Sequence, residues 1–432
     1  MLRSLFTGIS GLKAHQTMLD VVGNNIANVN TAGYKSSSAV FEDTMSQMLR
    51  AAGAPQGTSG GTNPAQVGLG VRVAGISTNF SQGSTQSTGR STDLSISGDG
   101  FFVTKQGGED LYTRAGSFNF DANGNLVTNG GAFVQGWTAD ATGKVDPNGP
   151  VGNIAIPTGT LLAPSETLHT GFKGNLVAGA GATPVTARQT FYDPQGVAHD
   201  VVYTLTKATA TSTPAAPAAS TGNDGWNVAV TIDGNAVAGS NLSQQQLQFS
   251  NTTGQLASPA ATGTPAKAAF TLTVPWGSGS ATPPTNVVSI DVTNVREFGG
   301  DGTFEATQPD GSTSGTLSGF NINPDGTVIG VFSNGLKQPL AKIALANFNN
   351  PPGLEKVGST AFRSTVNSGL PELGSAGAGG RGALQSNTLE MSNVDLATEF
   401  TGLIIAQRGF QANSKVITTS DDILQQLVNM KQ

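Results

Sequence analysis

Residues Ser392 to Leu424 read SNVDLATEFTGLIIAQRGFQANSKVITTSDDIL, and their spacing decides how the chain is built. Leu396, Phe400, Leu403, Gln407, Phe410, Ser414, Ile417, Asp421, Leu424 and Val428 follow in steps of three and four. That is the rhythm of one face of a long α-helix, here with polar residues interrupting it midway. Ser392 with Asp395 three residues on reads as a capping box that sets an anion near the helix start. The other end of the chain, MLRSLFTGISGLKAHQTMLDVVGNN from Met1, carries the same rhythm. Leu2, Leu5, Ile9, Leu12, Gln16, Leu19, Gly23 and Ile26 form a heptad-like seam. Taken singly, such a stripe marks an ordinary amphipathic helix packed on its own domain. Both, however, are flanked by Gly- and Pro-rich sequence rather than by apolar segments. Each buries its seam most easily against the other or against another subunit, so the spacing predicts that the termini meet as a coiled-coil-like pair.

Between the two ends the pattern is β: short alternating runs punctuated by Gly, Asp-Gly and Asn-Gly turns, as in sandwiches and barrels. DLSISGDGFFVTK reads as a hairpin turning at Gly98-Asp99-Gly100, where glycine accepts positive φ. YTRAGSFNFDANGNLVTNGG repeats the device at Asp121 to Gly124, FNINPDGTVIGVFSNG at Pro324-Asp325-Gly326, and FYDPQGVAHDVVYTLTK at Asp193 to Gly196. Four low-complexity stretches mark boundaries or exposed loops: GAPQGTSGGTNP, KATATSTPAAPAASTG, SPAATGTPAKAA and PELGSAGAGGRG. The first follows the N-terminal helix and the last precedes the C-terminal one, so both read as flexible connectors. The expected fold class is multidomain and mainly β, with discontinuous barrel- or sandwich-like domains and paired terminal helices.

Composition narrows the function. At 432 residues the chain is long enough for two to four compact units. Only 12% of residues are charged and the net charge is -6, so neither a basic nucleic-acid footprint nor a polybasic membrane patch is present. With 58 glycines and no cysteine, disulfide frameworks and thiolate metal sites are excluded, and stability rests on burial and association. Thr7, Gly8, Ser10 and Lys13 interrupt the apolar run that a cleaved signal needs, and no stretch is apolar over a bilayer-spanning length. Export would therefore need a dedicated apparatus, and no membrane insertion is expected.

Catalytic signatures are missing from the sequence. His15, His169 and His199 lie far apart, without metal-ligand spacing. GLGVRVAG has Val73 where a dinucleotide fingerprint places its third glycine, and Val71, Val73 and Ile76 alternate as a strand. Asp121, Asn123 and Asn125 resemble the start of a calcium loop, but Leu126 and Ala132 stand where its Gly and Glu belong, and a hairpin turn accounts for them better. The carboxylates sit mostly in turns. No enzyme, cofactor or metal is expected. Two other classes stay open on composition: a secreted β-rich adhesin, and a carbohydrate-active enzyme with a carboxylate pair assembled in space.

The two ends resemble the family of bacterial flagellar rod and hook proteins. The resemblance rests on SGLKAHQTMLDVVGNNIANVNTAGYKSS, with Asn24, Asn25, Ile26, Ala27, Asn28, Gly33, Tyr34 and Lys35, and on the Ser392 to Leu424 stretch. GDGFFV, YTRAGSFNFDANGNLV and QGW at Gln135 to Trp137 extend it into the first β segment. A large β insertion between Pro150 and about Thr316 points to the hook class rather than to the distal rod and its shorter relatives. The resemblance implies an axial protein of the flagellum. Such a protein is exported by the flagellar type III system and polymerised beneath a hook cap into a curved, flexible tube that transmits torque as a universal joint. Implied partners are further copies of itself, the distal rod protein, the hook cap, the hook–filament junction protein and the export gate; no nucleic acid is implied. Ile9 has Leu5 four residues before it and Phe6 beside it, so an export element that wants Phe at that place departs from the family pattern here.

With the resemblance, the expected division is a helical domain of 1–30 and 390–432, connectors of 31–70 and 366–389, an inner β domain of 71–150 and 316–365, and an outer β insertion of 151–315. The Gly, Ser, Thr and Ala surface of the insertion would supply many weak contacts that slide as the tube bends. Assembly residues are expected at Leu5, Ile9, Leu12, Leu19, Asn24, Asn25, Ile26, Asn28, Gly33, Tyr34, Leu396, Phe400, Leu403, Gln407, Phe410, Ile417 and Leu424. Asn24, Asn25 and Asn28 read equally as polar residues of a helix end. Gln407, Arg408 and Gln411 read either as solvent-facing or as polar seam residues that fix register.

Overall fold

The structure is a computed structural model. It describes residues 2–430 except 56, 58–59, 141, 157–158, 180–182, 209–222, 237–245, 260–267 and 276–284. Two long helices, α1 (Leu2–Ala27) and α2 (Leu396–Asn429), bracket a chain that is otherwise almost entirely strand and turn. The fold is mainly β with paired terminal helices, as the periodicity predicts. It divides into two compact units. The first comprises Met1–Thr158, Gly319–Val331 and Lys337–Gln432, and the second Gly159–Ser318 and Phe332–Leu336.

In the first unit, α1 and α2 run antiparallel. Ser4 Oγ lies 3.4 Å from Ser420 Oγ near one end, and Asn25 Nδ2 donates to Glu399 Oε1 at 2.9 Å near the other. The contact line lies one position beside the expected stripe, on small residues rather than on leucines. A Cβ added at Gly8 would lie 3.1 Å from Ile417 Cγ1, and one at Gly11 would lie 2.7 Å from the Asn413 amide. Across the seam, Gly409 faces the His15 ring and Gly402 faces Met18 and Val22. The missing side chains let the two backbones approach closely, so the widest parts of the helices touch through glycine. The larger residues of the expected stripe are displaced toward the flanks.

Strands Thr327–Phe332, Lys337–Asn347, Phe133–Thr138, Phe101–Gln106, Glu109–Thr113, Ala361–Arg363 and Glu355–Gly358 lie side by side in the main sheet. One face packs Phe101, Tyr112, Trp137, Phe348 and Phe362 into a core with edge-to-face ring contacts, Tyr112 and Phe348 being 4.8 Å apart. Leu94–Ser97 does not form a hairpin with Phe101–Gln106. It pairs instead with Ala383–Ser386, because Gly98 and Gly100, at φ 108° and 125°, turn the chain through a corner and the Asp99 carbonyl accepts from Gly382 N. PELGSAGAGGRG is likewise no free linker: Glu372–Ser375 adds to Lys337–Asn347, and Arg381 Nε closes the turn onto the Ser375 carbonyl.

The second unit has two sheets over one core. Val185–Tyr192, Ala198–Lys207, Asn223–Ile232, Gln246–Ser250 and Leu256–Ser258 form one sheet; Ala269–Pro275, Thr285–Phe298, His169–Val177 and Glu305–Ala306 form the other. Phe172, Phe191, Tyr203, Trp226, Phe249, Leu272 and Ile290 meet between them. KATATSTPAAPAASTG and SPAATGTPAKAA fall largely outside the described residues, at 209–222 and 260–267.

One turn recurs in both units. Asp121, Asp140 and Asp193 each accept, through one carboxylate oxygen, the backbone N–H of the second and fourth residues onward. The third residue onward is a glycine at φ 79° to 82°. The carboxylate organises the turn and glycine supplies the left-handed step, which explains the calcium-like spacing at Asp121.

Gly23, exposed on α1, has no atom within 4 Å of an added Cβ, whereas an added Cβ at Gly409 would overlap the His15 ring. Gly23→Ala is expected to stabilise the monomer by about 0.5–1 kcal/mol through helix propensity, and Gly409→Ala to lower stability despite the same gain. Thermal unfolding followed by helical circular dichroism checks the opposite signs.

Candidate assembly interface

The chain's head and tail are joined to the β body by a buried polar cluster. Lys35 and Glu390 are both fully buried and lie 2.6 Å apart. Lys35 Nζ also donates to the Ser81 carbonyl at 2.7 Å, and Glu390 Oε1 accepts from Gly83 N at 3.0 Å. On the other carboxylate oxygen, Arg114 Nη1 approaches to 3.4 Å; it also donates to the Gly98 carbonyl at 2.9 Å and lies over the Phe101 ring. Burial pulls the ammonium of Lys35 and the guanidinium of Arg114 below their ordinary pKa, and Glu390 opposes that pull in both.

The backbone supports the same junction. Gly33, at φ 70°, donates to the Glu390 carbonyl at 2.7 Å, and a Cβ there would overlap the Arg114–Ala115 backbone. Glycine at 33 is thus required twice, by conformation and by space. Asn393 receives Ser36 N at 2.8 Å and donates to the Asn79 and Ser81 carbonyls.

Asn25, buried at the end of α1, uses its full hydrogen-bonding capacity. Its amide donates to the Ser37 carbonyl and to Glu399; its oxygen accepts Tyr34 Oη at 3.1 Å and Ser37 N at 3.0 Å. Burial raises the pKa of both Tyr34 and Glu399. Tyr34, read as a connector toward neighbouring copies, is buried inside its own chain with Lys356 over its ring. The cap of α2 also differs from expectation. Asp395, not Ser392, caps the helix, accepting Ala397 N at 2.9 Å and the Thr398 hydroxyl at 3.2 Å, while Ser392 Oγ accepts only Val394 N, at 3.3 Å.

Of the expected assembly residues, Asn25, Gly33 and Tyr34 are buried, while Leu5, Leu12, Leu19, Ile26, Asn28, Leu403, Ile417 and Leu424 are half-buried. Ile9, Asn24, Leu396, Phe400, Gln407 and Phe410 are exposed. The side chain of Val428 lies outside the described residues. Exposure continues to Phe6 at 67% and to Ile404 and Ile405 at 56% each, so both helices leave large apolar side chains uncovered. The sequence reading missed Lys35, Arg114, Glu390, Asn393 and Glu399 as a cluster. Ion pairs 355 and 276 residues apart leave no mark in local spacing.

This architecture of β units between paired terminal helices is that of a known class of structure. The crystal structure of Helicobacter pylori flagellar hook protein FlgE2 matches at a TM-score of 0.52 and 15% identity, over 71% of this chain and all of that one, which establishes likeness of fold. Four family descriptions match in succession. They are flagella basal body rod protein over 5–35, flagellar hook protein FlgE/F/G D1 domain over 95–177, flagellar basal body protein FlaE D2 domain over 177–312, and flagellar basal body rod FlgEFG protein C-terminal over 385–430. Among relatives, the flagellar hook protein FlgE of Borreliella burgdorferi is 38% identical over the whole of both chains. That of Escherichia coli is 35% identical over 98% of each. The flagellar basal-body rod protein FlgG of Bacillus subtilis is 32% identical over all of both. The chain belongs to the flagellar hook and rod protein family, a family of structural proteins.

Lys35→Met is expected to cost about 3–5 kcal/mol, the scale for breaking a buried pair from one side, measured by urea unfolding. The cap gives a second expectation. Its backbone and hydroxyl donors hold the Asp395 carboxyl below the ordinary 3.8. The stabilising, ionised cap is therefore complete above that pH and lost as pH falls through the depressed folded value. An Ala397 amide-shift titration by NMR should give a midpoint under 3.8; one above it contradicts the cap.

Proposed function

We propose that this chain is a structural subunit of the bacterial flagellar hook that polymerises through the helical pair formed by its two ends. The observation that carries the reading is the open apolar face of α1 and α2, with Phe6, Phe400, Ile404 and Ile405 more than half exposed. Large apolar side chains on one face of a two-helix layer stabilise the protein only when that face is covered, at about 25 cal/mol per Å² removed from water. Further copies of the same chain supply the cover in a polymer, and a helical polymer repeats one heterologous contact without closing on itself.

The buried cluster holds the helices to the β body within one subunit, leaving the outer helical face to neighbours. In this reading Ile9, Leu396, Phe400 and Phe410 lie at subunit contacts. Asn25, Gly33 and Tyr34 shape the subunit that makes them. The chain is exported by the flagellar type III gate, assembled under the hook cap, and joined to the distal rod protein at one end of the tube and to the hook–filament junction protein at the other. In this reading the helical pair and the inner β segment act within one subunit, and the outer β insertion faces other copies. The second β unit supplies the sliding contacts between copies as the tube bends.

Identity to the Bacillus subtilis rod protein over its full length keeps a rod position as the second reading. Immunogold labelling of an epitope-tagged chain on purified flagella separates the two, by label on the curved hook or on the rod. For polymerisation, the full chain is expected to form tubes under the electron microscope, and Ile404→Glu/Ile405→Glu to remain monomeric with an unchanged unfolding midpoint of the β body. Tubes from the double variant would overturn the role of the helical face.

A further inference from the structure

Glu390 is the carboxylate in direct contact with both buried cations, while Asp99 adds a further, weaker negative charge near Arg114. Lys35 lies behind α1 and Arg114 follows the strand Glu109–Thr113, and the side chains of both are at most 2% exposed. The carbonyls of Ser81 and Gly98 accept from them but carry no net charge. Without Glu390 the same packing would hold two desolvated positive charges near each other. That arrangement is strongly unfavourable, because burial penalises each ion and like charges add to the penalty.

The neighbouring contacts come from the same late segment. Thr388–Glu390 pairs with Thr85–Ser87, Ala383–Ser386 pairs with Leu94–Ser97, and Gly33 N meets the Glu390 carbonyl. The surroundings of Lys35 and Arg114 combine strands before residue 115 with residues 345–362, which pair with Phe101–Phe102 and Tyr112–Thr113 and pack on Phe101, and their charge is met from Glu390.

We propose that the Lys35–Glu390–Arg114 cluster is a closure lock. The part of the body formed by residues 81–114 gains stable structure only when the segment ending at Glu390 is in place. A chain emerging from its N-terminus would then stay open along this region until the segment at Glu390 had emerged as well. That consequence for assembly rests on the exported-subunit reading above; the lock is a property of the single chain.

The test uses the full-length protein in refolding from denaturant, with pulsed hydrogen exchange resolved by segment. Amides of the local hairpin Phe101–Gln106 and Glu109–Thr113 should gain protection in the same kinetic phase as those of Ala383–Glu390. In Lys35→Met/Arg114→Leu/Glu390→Leu, which removes all three charges together, the Phe101–Gln106 and Glu109–Thr113 hairpin should gain protection in a faster phase than the late segment. At equilibrium Glu390→Gln should lower protection of the early strands about a hundredfold or more, the scale of an uncompensated buried charge, with the triple variant restoring it. Early protection of the Phe101–Gln106 and Glu109–Thr113 hairpin ahead of Ala383–Glu390 in the unaltered chain would overturn the lock. So would a triple variant no better protected than Glu390→Gln. Both readouts come from monomer, so a failure to polymerise leaves the outcome unaffected.

Discussion

Two positive charges and one negative charge, removed from water together, set the terms for the first unit. A buried ion pair gains little over an apolar replacement, but an incomplete one is costly. Lys35, Arg114 and Glu390 therefore act less as a source of stability than as a condition: their side chains are packed away only if residues near 35, near 114 and near 390 are brought to one place. The hydrogen bonds around them add direction to the condition, because Ser81 O, Gly83 N and Gly98 O fix which way each charged group points. Bringing those segments together leaves α1 and α2 starting and ending beside one another, and Asn25 with Glu399 ties that junction directly.

Once the ends are joined, the helix seam decides what remains exposed. Gly8 and Gly11 on one helix and Gly409 on the other allow close approach, with Ile417 and the Asn413 and His15 side chains set against them. The larger residues, Phe400, Ile404 and Ile405 among them, are left outside. A leucine-lined seam would have buried those groups within the subunit and left a polar exterior. Glycine at the seam trades helix propensity, about 1 kcal/mol per position relative to alanine, for close approach of the two backbones. Helices within proteins draw most of their stability from tertiary packing, so the order of α1 and α2 depends on what covers them.

Much of this fold was legible from local pattern, and the limits of that legibility are physical. Three-four spacing located both helices because periodicity is a property of neighbours. Asp121 and Asp193 revealed their turns because the carboxylate bonds to backbone two and four residues away. The helix seam came out one position aside because hydrophobicity marks a face but does not say which edge of it meets a partner, and a glycine contact has no hydrophobic signal. At Gly98-Asp99-Gly100 the local signal was ambiguous: positive φ serves a hairpin and a corner alike, and the choice was made by Ala383–Ser386, almost 300 residues away. The charged cluster was silent for the same reason.

The turn chemistry and the cluster chemistry divide the labour by distance. Carboxylates in turns, at Asp121, Asp140, Asp193 and Asp325, act on their own backbone within a few residues and stay near water. They can form as soon as their segment exists. Glu390 acts across the length of the chain and is fully buried, so its contribution exists only in the finished subunit. The many short hairpins are thus local and repetitive, and the buried long-range polar junction distinguishes a finished chain from a collection of hairpins. In a protein whose helical face is useful only after the ends have met, placing the buried charges at that meeting point makes a completed junction the precondition for an ordered face.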